Sequence, residues 1–126
     1  MLHTIRTVSA VAAGGAMGAL ARWAMDVAGQ RLGWSPWALL VVVNVAGAFA
    51  LGWFVAGRER TASHPLVVPF MAVGFLGSFT TFSAFTVEAV EGVRAGNGVG
   101  AIVFVVGSMA LGLAAAIAGR VAAVRP

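Results

Sequence analysis

Gly74-Phe75-Leu76-Gly77-Ser78-Phe79-Thr80-Thr81-Phe82-Ser83-Ala84-Phe85 lies inside an uncharged run that extends from Pro65 to Val87. A bilayer core about 30 Å thick takes roughly 20 apolar residues of helix, so the run reads as a membrane span. Its middle is nevertheless made of weak helix formers, Gly77, Ser78, Thr80, Thr81 and Ser83, which lose backbone entropy or compete for backbone hydrogen bonds. The pattern predicts a helix that breaks around Gly77 to Thr80. At that depth non-helical backbone is tolerated only where protein or a cavity surrounds it, and carbonyls released by a break are natural cation ligands.

Working outward, charges divide the rest of the chain. Uncharged runs extend from Leu32 to Gly57 and from Ala95 to Gly119, and a shorter one from Thr7 to Ala21 ends in Arg22-Trp23-Ala24-Met25. The expectation is an all-α integral membrane protein with four transmembrane helices, at about 4–25, 36–57, 66–90 and 97–120, the third of them broken, in a single membrane domain over residues 1–126. Composition agrees: 60% of the 126 residues are hydrophobic and 10% charged, more apolar surface than so small a domain can hide from water. Lipid must cover the remainder.

The connections hold turn and breaker residues, Gly33-Trp34-Ser35-Pro36, Arg58 to Pro65, and Arg94-Ala95-Gly96-Asn97-Gly98, which leaves no room for a soluble domain. Trp23, Trp34, Trp37 and Trp53 fall near the expected span ends, where amphipathic rings favour the headgroup layer. Arg6, an apolar stretch and Ala19-Leu20-Ala21 also resemble a signal peptide with its cleavage site. Cleavage would discard the Gly14/Gly18 pair and leave an odd number of spans, so the first helix is expected to stay.

Net charge is +4, but the eight basic residues are all Arg and scattered, without the clustered patch of a nucleic-acid binder. No Cys is present and His3 and His64 are isolated, so thiolate chemistry and a Cys/His zinc site are not expected. With the N-terminus inside, Arg6, Arg58, Arg60, Arg120 and Arg125 lie on one side against Arg22, Arg31 and Arg94 on the other. Arg excess in short loops sets topology, so this near balance points to a chain that inserts both ways up.

Small residues fill the helices, and Gly14/Gly18, Ala48/Gly52 and Ser108/Gly112 each stand four apart, as close helix packing requires. Function is sought in what interrupts that pattern, because a polar side chain within a span needs a partner or a role. Asn44 lies between Val41-Val42-Val43 and Val45-Ala46-Gly47; it is either interhelical glue or an anion ligand facing a pore. Phe79, Phe82 and Phe85 recur every three residues, placing neighbouring rings on one face if the helix resumes. They are packing residues or, through their positive edges, anion contacts. Phe104 and Ser108 share a face of the fourth span at i and i+4, with Ser108 offering a hydroxyl donor. Arg22 and Glu88 lie at span ends, snorkelling to water or, for Arg22, concentrating anions at a pore mouth.

At these residues the chain resembles the Fluc family of small bacterial fluoride channels. Gly14-Gly15-Ala16-Met17-Gly18-Ala19-Leu20-Ala21-Arg22-Trp23 is similar to its glycine-rich first-helix motif, Asn44-Val45-Ala46-Gly47-Ala48-Phe49 to its asparagine motif, and Gly74 to Ser83 to its third-helix break. The resemblance implies a passive, fluoride-selective channel of the cytoplasmic (inner) membrane that lowers cytoplasmic fluoride and confers resistance. It implies an antiparallel, dual-topology homodimer with two fluoride pathways and a buried structural sodium ion. Asn44, Phe82, Phe85, Thr81 and Ser108 would then line the pathway, Arg22 would sit near a vestibule, and Gly77 and Thr80 would give carbonyls to sodium. Phe104 and Gly112 depart from the hydroxyl-bearing residues expected there, which affects the number of fluoride positions.

Two other readings have different signatures. A small multidrug exporter should carry a Glu in its first span, and Thr7 to Ala21 has none; a purely structural assembly protein would not need Asn44 or Thr80-Thr81. A proton-coupled carrier needs an intramembrane acid, whereas Asp26, Glu59, Glu88 and Glu91 fall at or near span ends. Nothing supplies a nucleophile with a base, a metal cluster or a phosphate loop, so an enzyme is not expected.

Overall fold

The computed structural model describes residues 1–58 and 64–124; Glu59, Arg60 and Arg125, weighed above, lie outside these. The described residues form helix α1 (Leu2–Arg31), helix α2 (Pro36–Arg58), a π-helical segment (Pro69–Leu76) that passes directly into the single turn α3 (Gly77–Phe79), helix α4 (Ser83–Arg94) and helix α5 (Gly98–Val124). Three stretches are long and apolar enough to cross a membrane: Pro36–Arg58, Pro69–Arg94 and Gly98–Val124, with mean hydropathy 2.2, 1.5 and 2.4. The stretch Pro69–Arg94 contains the break, at Thr80 to Phe82, so Gly77 is still helical and the chain leaves the helix at Thr80.

Helix α1 departs from the expected 4–25. It runs on to Arg31, so Asp26 is inside a helix rather than in a loop. At about 1.5 Å per residue its 30 residues span about 45 Å, enough to cross the hydrocarbon and both headgroup layers. Its terminal charges can therefore reach water without ending the helix.

Two reversals share one construction. Gly33 and Gly96 have φ of 75° and 80°, a conformation that glycine adopts without a Cβ penalty. After α1, Trp34 N–H donates to Gly29 O (2.9 Å) and Gly33 N–H to Gln30 O (3.1 Å); after α4, Asn97 N–H donates to Gly92 O (2.9 Å) and Gly96 N–H to Val93 O (3.0 Å). These paired bonds close the helix ends. The next helix begins at once, with Ser35 Oγ accepting from Ala38 N–H (3.2 Å) and Asn97 Oδ1 from Gly100 N–H (3.0 Å).

Packing divides the chain into two parts. In one, α1 lies on the π-helical segment: the backbone at Phe70 and Phe75 sits where a Cβ on Gly14 or Gly18 would stand, and Gly74 faces Val11 O in return. In the other, α2 and α5 are joined by reciprocal seats, Gly52 against Ala116 O and Gly119 against Phe49 O. Gly107 and Gly112 meet nothing within 4 Å in this chain, so the Ser108/Gly112 pair, expected to pack helices, does not do so within one copy. The apolar core is small, built on Leu40, Phe85 and Phe104 with Trp37, Val41, Ala89 and Val105 around it. Accessible surface is 7916 Å², against roughly 6,300 Å² for a compact soluble protein of 12.8 kDa. The excess is apolar helix surface that must be covered by lipid or another protein.

Close seats predict selective intolerance. Gly18→Val should lower stability by about 1–3 kcal/mol, whereas Gly98→Ala, at a position with nothing within 4 Å, should change it by less than about 0.5 kcal/mol. Reversible unfolding in detergent measures both; equal losses would contradict the packing.

Candidate functional site

The break is best understood by following its backbone hydrogen bonds. Thr80 N–H and Thr80 Oγ1 both donate to Leu76 O, at 3.1 and 3.0 Å, which ends the helix on a doubly used carbonyl. Thr80 then turns extended (φ −77°, ψ 159°). In a continuing helix Thr81 N–H would donate to the carbonyl of Gly77. Instead it donates to Asn44 Oδ1 at 2.9 Å, while Asn44 Nδ2 donates to Thr81 O at 3.1 Å. The side-chain amide of α2 thus pairs with a backbone peptide of the break at both of its polar groups. Gly77 O is released from its helical donor as a consequence.

Thr81 begins the next helix. Its Oγ1 accepts from Ala84 N–H at 3.3 Å and shares a hydrogen bond with Ser83 Oγ, also at 3.3 Å, the capping geometry that satisfies a first-turn donor. Thr81 is only 8% exposed and is the buried polar residue of the described chain. Sequence reading placed it in the pathway but not in this capping role. Gly47 was also missed as a site residue. The Thr80 methyl occupies the space that a Cβ on Gly47 would take. Its spacing of three from Asn44, on one helical face, was the available signal.

The three phenylalanines do not share a face. Phe79, before the break, stacks on Phe75 at 6.1 Å. Phe82 and Phe85, after it, pair with each other at 5.9 Å. The extended residue at Thr80 resets the helical phase, so spacing by three carries no meaning across it. Phe85 is 7% exposed and lies 5.0 Å from Phe104, whereas Phe82 is 76% exposed. Trp37, at the start of α2 where a span end was expected, also packs inward: it is half-buried and stacked on Phe104 at 5.0 Å.

These elements enclose a groove of about 430 Å³ bordered by Asn44, Gly47, Gly77, Thr80, Thr81, Phe82, Phe85, Ser108 and Met109, among others. The expected pathway residues Asn44, Thr81, Phe82, Phe85 and Ser108 therefore come together, and Gly77 and Thr80 join them. Arg22 does not border the groove; it is half-buried on α1, the helix that packs on the π-helical segment. Phe104 and Ser108, expected on one face, do different work: Phe104 is buried under Phe85, and Ser108 meets the groove.

Among the described residues no ionisable side chain borders this groove. The polar residues bordering it, Asn44, Thr80, Thr81 and Ser108, are neutral. Ser108 Oγ is buried without a hydrogen-bond partner, an arrangement that costs free energy unless a ligand completes it. Asp26 and Glu88 line a separate cleft with Gln30, Trp34 and Ala84, and Glu91 pairs with Arg94 at 3.0 Å on the surface. Among the described residues no group of three His, Cys, Asp or Glu could hold a metal ion. The donors suited to a cation are hard carbonyl oxygens at the break, where Gly77 O has lost its helical donor. Such oxygens are the ligand type that hard cations take.

Residues 9–120 match the family described as CrcB-like protein, Camphor Resistance (CrcB). A protein of Natronomonas pharaonis named fluoride-specific ion channel FluC 1 is 46% identical over 122 residues, covering 91% of this chain and 92% of its own. Fluoride-specific ion channel FluC of Paracoccus denitrificans is 39% identical over 121 residues (94% and 93%). The protein of that name from Methylobacterium sp. is 36% identical over 118 residues (90% of each).

The pairing of Asn44 with Thr81 makes a definite demand. Asn44→Leu leaves Thr81 N–H and C=O without partners and should cost roughly 2–4 kcal/mol. Hydrogen exchange at the Thr81 amide should accelerate by at least about tenfold; unchanged exchange would show that Asn44 does not hold the break.

Proposed function

The chain belongs to the CrcB-like family, and on that premise we propose that it is a fluoride-specific ion channel, a passive pore and not an enzyme. The observation that carries this reading is the groove at the helix break, where neutral donors and aromatic rings converge with an unpaired Ser108 hydroxyl and no charged side chain. Fluoride is small and strongly hydrated, so a pathway must replace its water with donors. Asn44 N–H, the Ser108 hydroxyl and the positive edges of Phe82 and Phe85 are of that kind, with Thr81 at the base of the groove. Neutral donors also let the ion leave, which a fixed Arg at close range would oppose. Arg22, away from the groove, acts at longer range by raising the local anion concentration.

In a cell, the channel lets fluoride run down its gradient out of the cytoplasm, across the inner membrane of a bacterium, and so relieves its toxicity. Helix α1 serves as the fourth span, beside the three apolar segments. Fluoride efflux from liposomes containing the purified chain is the test. Wild-type protein should release fluoride and retain chloride, and Phe82→Ile should slow release by at least about tenfold. Vesicles that leak no fluoride would overturn the function, and a Phe82→Ile protein at wild-type rate would remove that ring from the pathway.

The finer assembly is an antiparallel homodimer. It is supported by the near-balanced Arg distribution, by the 76% exposure of Phe82 beside an open groove, and by surface in excess of a compact monomer. A second copy across a two-fold axis would cover that groove and give two equivalent pathways. Sodium fits the same axis, with the carbonyls of Gly77 and Thr80 from each chain as its ligands. Bound there, the ion would relieve repulsion among inward carbonyl dipoles and contribute to assembly, without itself being transported. A C-terminal label should be reachable from both faces of the membrane, and replacing sodium with a larger cation should weaken both the dimer and fluoride flux. One-sided labelling would exclude dual topology; a dimer and a flux indifferent to sodium would exclude the ion.

A further inference from the structure

Four aromatic rings run in a continuous file from α2 to the groove. Trp37 stacks on Phe104 at 5.0 Å with an interplanar angle of 19°, Phe104 on Phe85 at 5.0 Å and 39°, and Phe85 on Phe82 at 5.9 Å and 32°. Each successive ring is contributed by a different helix until the last pair: α2, α5, then α4. From this file we propose that Phe104, backed by Trp37, is a positioning residue that fixes the ring of Phe85 and thereby sets the rate and selectivity of anion passage.

Phe85 borders the groove yet is 7% exposed. Phe104 and Phe82 both pack on its ring, at 5.0 and 5.9 Å, so only a small part of it is left to the groove. Whether that part is edge or face decides its electrostatics, because an aromatic edge attracts an anion and a face repels it. A phenylalanine on its own has two rotatable side-chain bonds and would present both in turn. Something must hold the ring, and the file supplies it.

Phe104 can do so because it is itself held. It is 6% exposed, and Val105 and Ala89 pack around the same cluster. Trp37 closes the far side and is wedged in turn against α4, its ring occupying the space a Cβ on Gly92 would take. Movement of Phe104 would require Trp37 to leave a seat shared by α2, α4 and α5. The lock acts on Phe85 only through these contacts and does not touch the groove, since neither Phe104 nor Trp37 borders it. An aliphatic side chain at position 104 would fill most of the space but would not impose a tilt on its neighbour.

This inference rests on the fluoride reading for its transport readout, and a second readout is independent of it. In protein carrying isotope-labelled phenylalanine, ring flips of Phe85 should be slow in the wild type and clearly faster in Phe104→Leu. In the same variant fluoride flux should fall by about three- to tenfold, and discrimination against chloride should narrow. Trp37→Phe, which keeps a ring in the seat, should retain most of both. If Phe85 flips equally fast in wild type and Phe104→Leu, there is no lock. If flips accelerate while flux and selectivity stay at wild-type values, the lock does not govern passage; either result overturns the proposal. Wild-type protein that carries no fluoride would defeat the functional reading instead, and the flip rates would still decide whether the ring is held.

Discussion

Backbone that leaves a helix within a membrane exposes donors and acceptors that lipid cannot satisfy, and that constraint organises this chain. At Thr80 to Phe82 the helical ladder stops. Asn44 resolves most of the cost by pairing both polar groups of its amide with the peptide of Thr81, and Thr81 uses its hydroxyl to start the next helix. Each unsatisfied buried group would cost several kcal/mol in hydrocarbon. A single asparagine on α2 therefore has to stand opposite the break, and α2 has to approach closely enough for it to reach.

The approach explains the glycines that matter. Gly47 admits the Thr80 methyl, so α2 and the break touch one turn from Asn44. On the other side, Gly14 and Gly18 let α1 lie directly on the backbone of the π-helical segment, holding the first half of the broken span in place. Without a Cβ at Gly14 and Gly18 the two backbones can approach this closely.

The break also accounts for the chemistry of the groove. Giving Thr81 N–H to Asn44 frees the carbonyl of Gly77, and resetting the helical phase turns Phe85 onto Phe104 of α5, with Phe82 beside Phe85 and apart from the Phe75–Phe79 stack. Donors for an anion and acceptors for a cation thus arise within a few residues, from one interruption.

Much of this was readable from the order of residues. Uncharged runs between arginines mark where helices can cross lipid. Gly77, Ser78, Thr80, Thr81 and Ser83 mark where one of them is weak, because helix propensity and the cost of charge in hydrocarbon act locally. The polar exceptions, Asn44 and Ser108, were visible for the same reason. What the sequence left open depended on contacts between distant residues. That Asn44 holds the break depended on a partner 37 positions away. Trp37 turned inward because Phe104 and Gly92 make a seat for it, a contact that its place near a span end did not reveal. Phe79 fell away from Phe82 because periodicity is defined only within an unbroken helix. Local chemistry thus determined which segments fold and where one must break; the tertiary structure decided which side chains meet across the break, since only packing fixes the relative phase of separate helices.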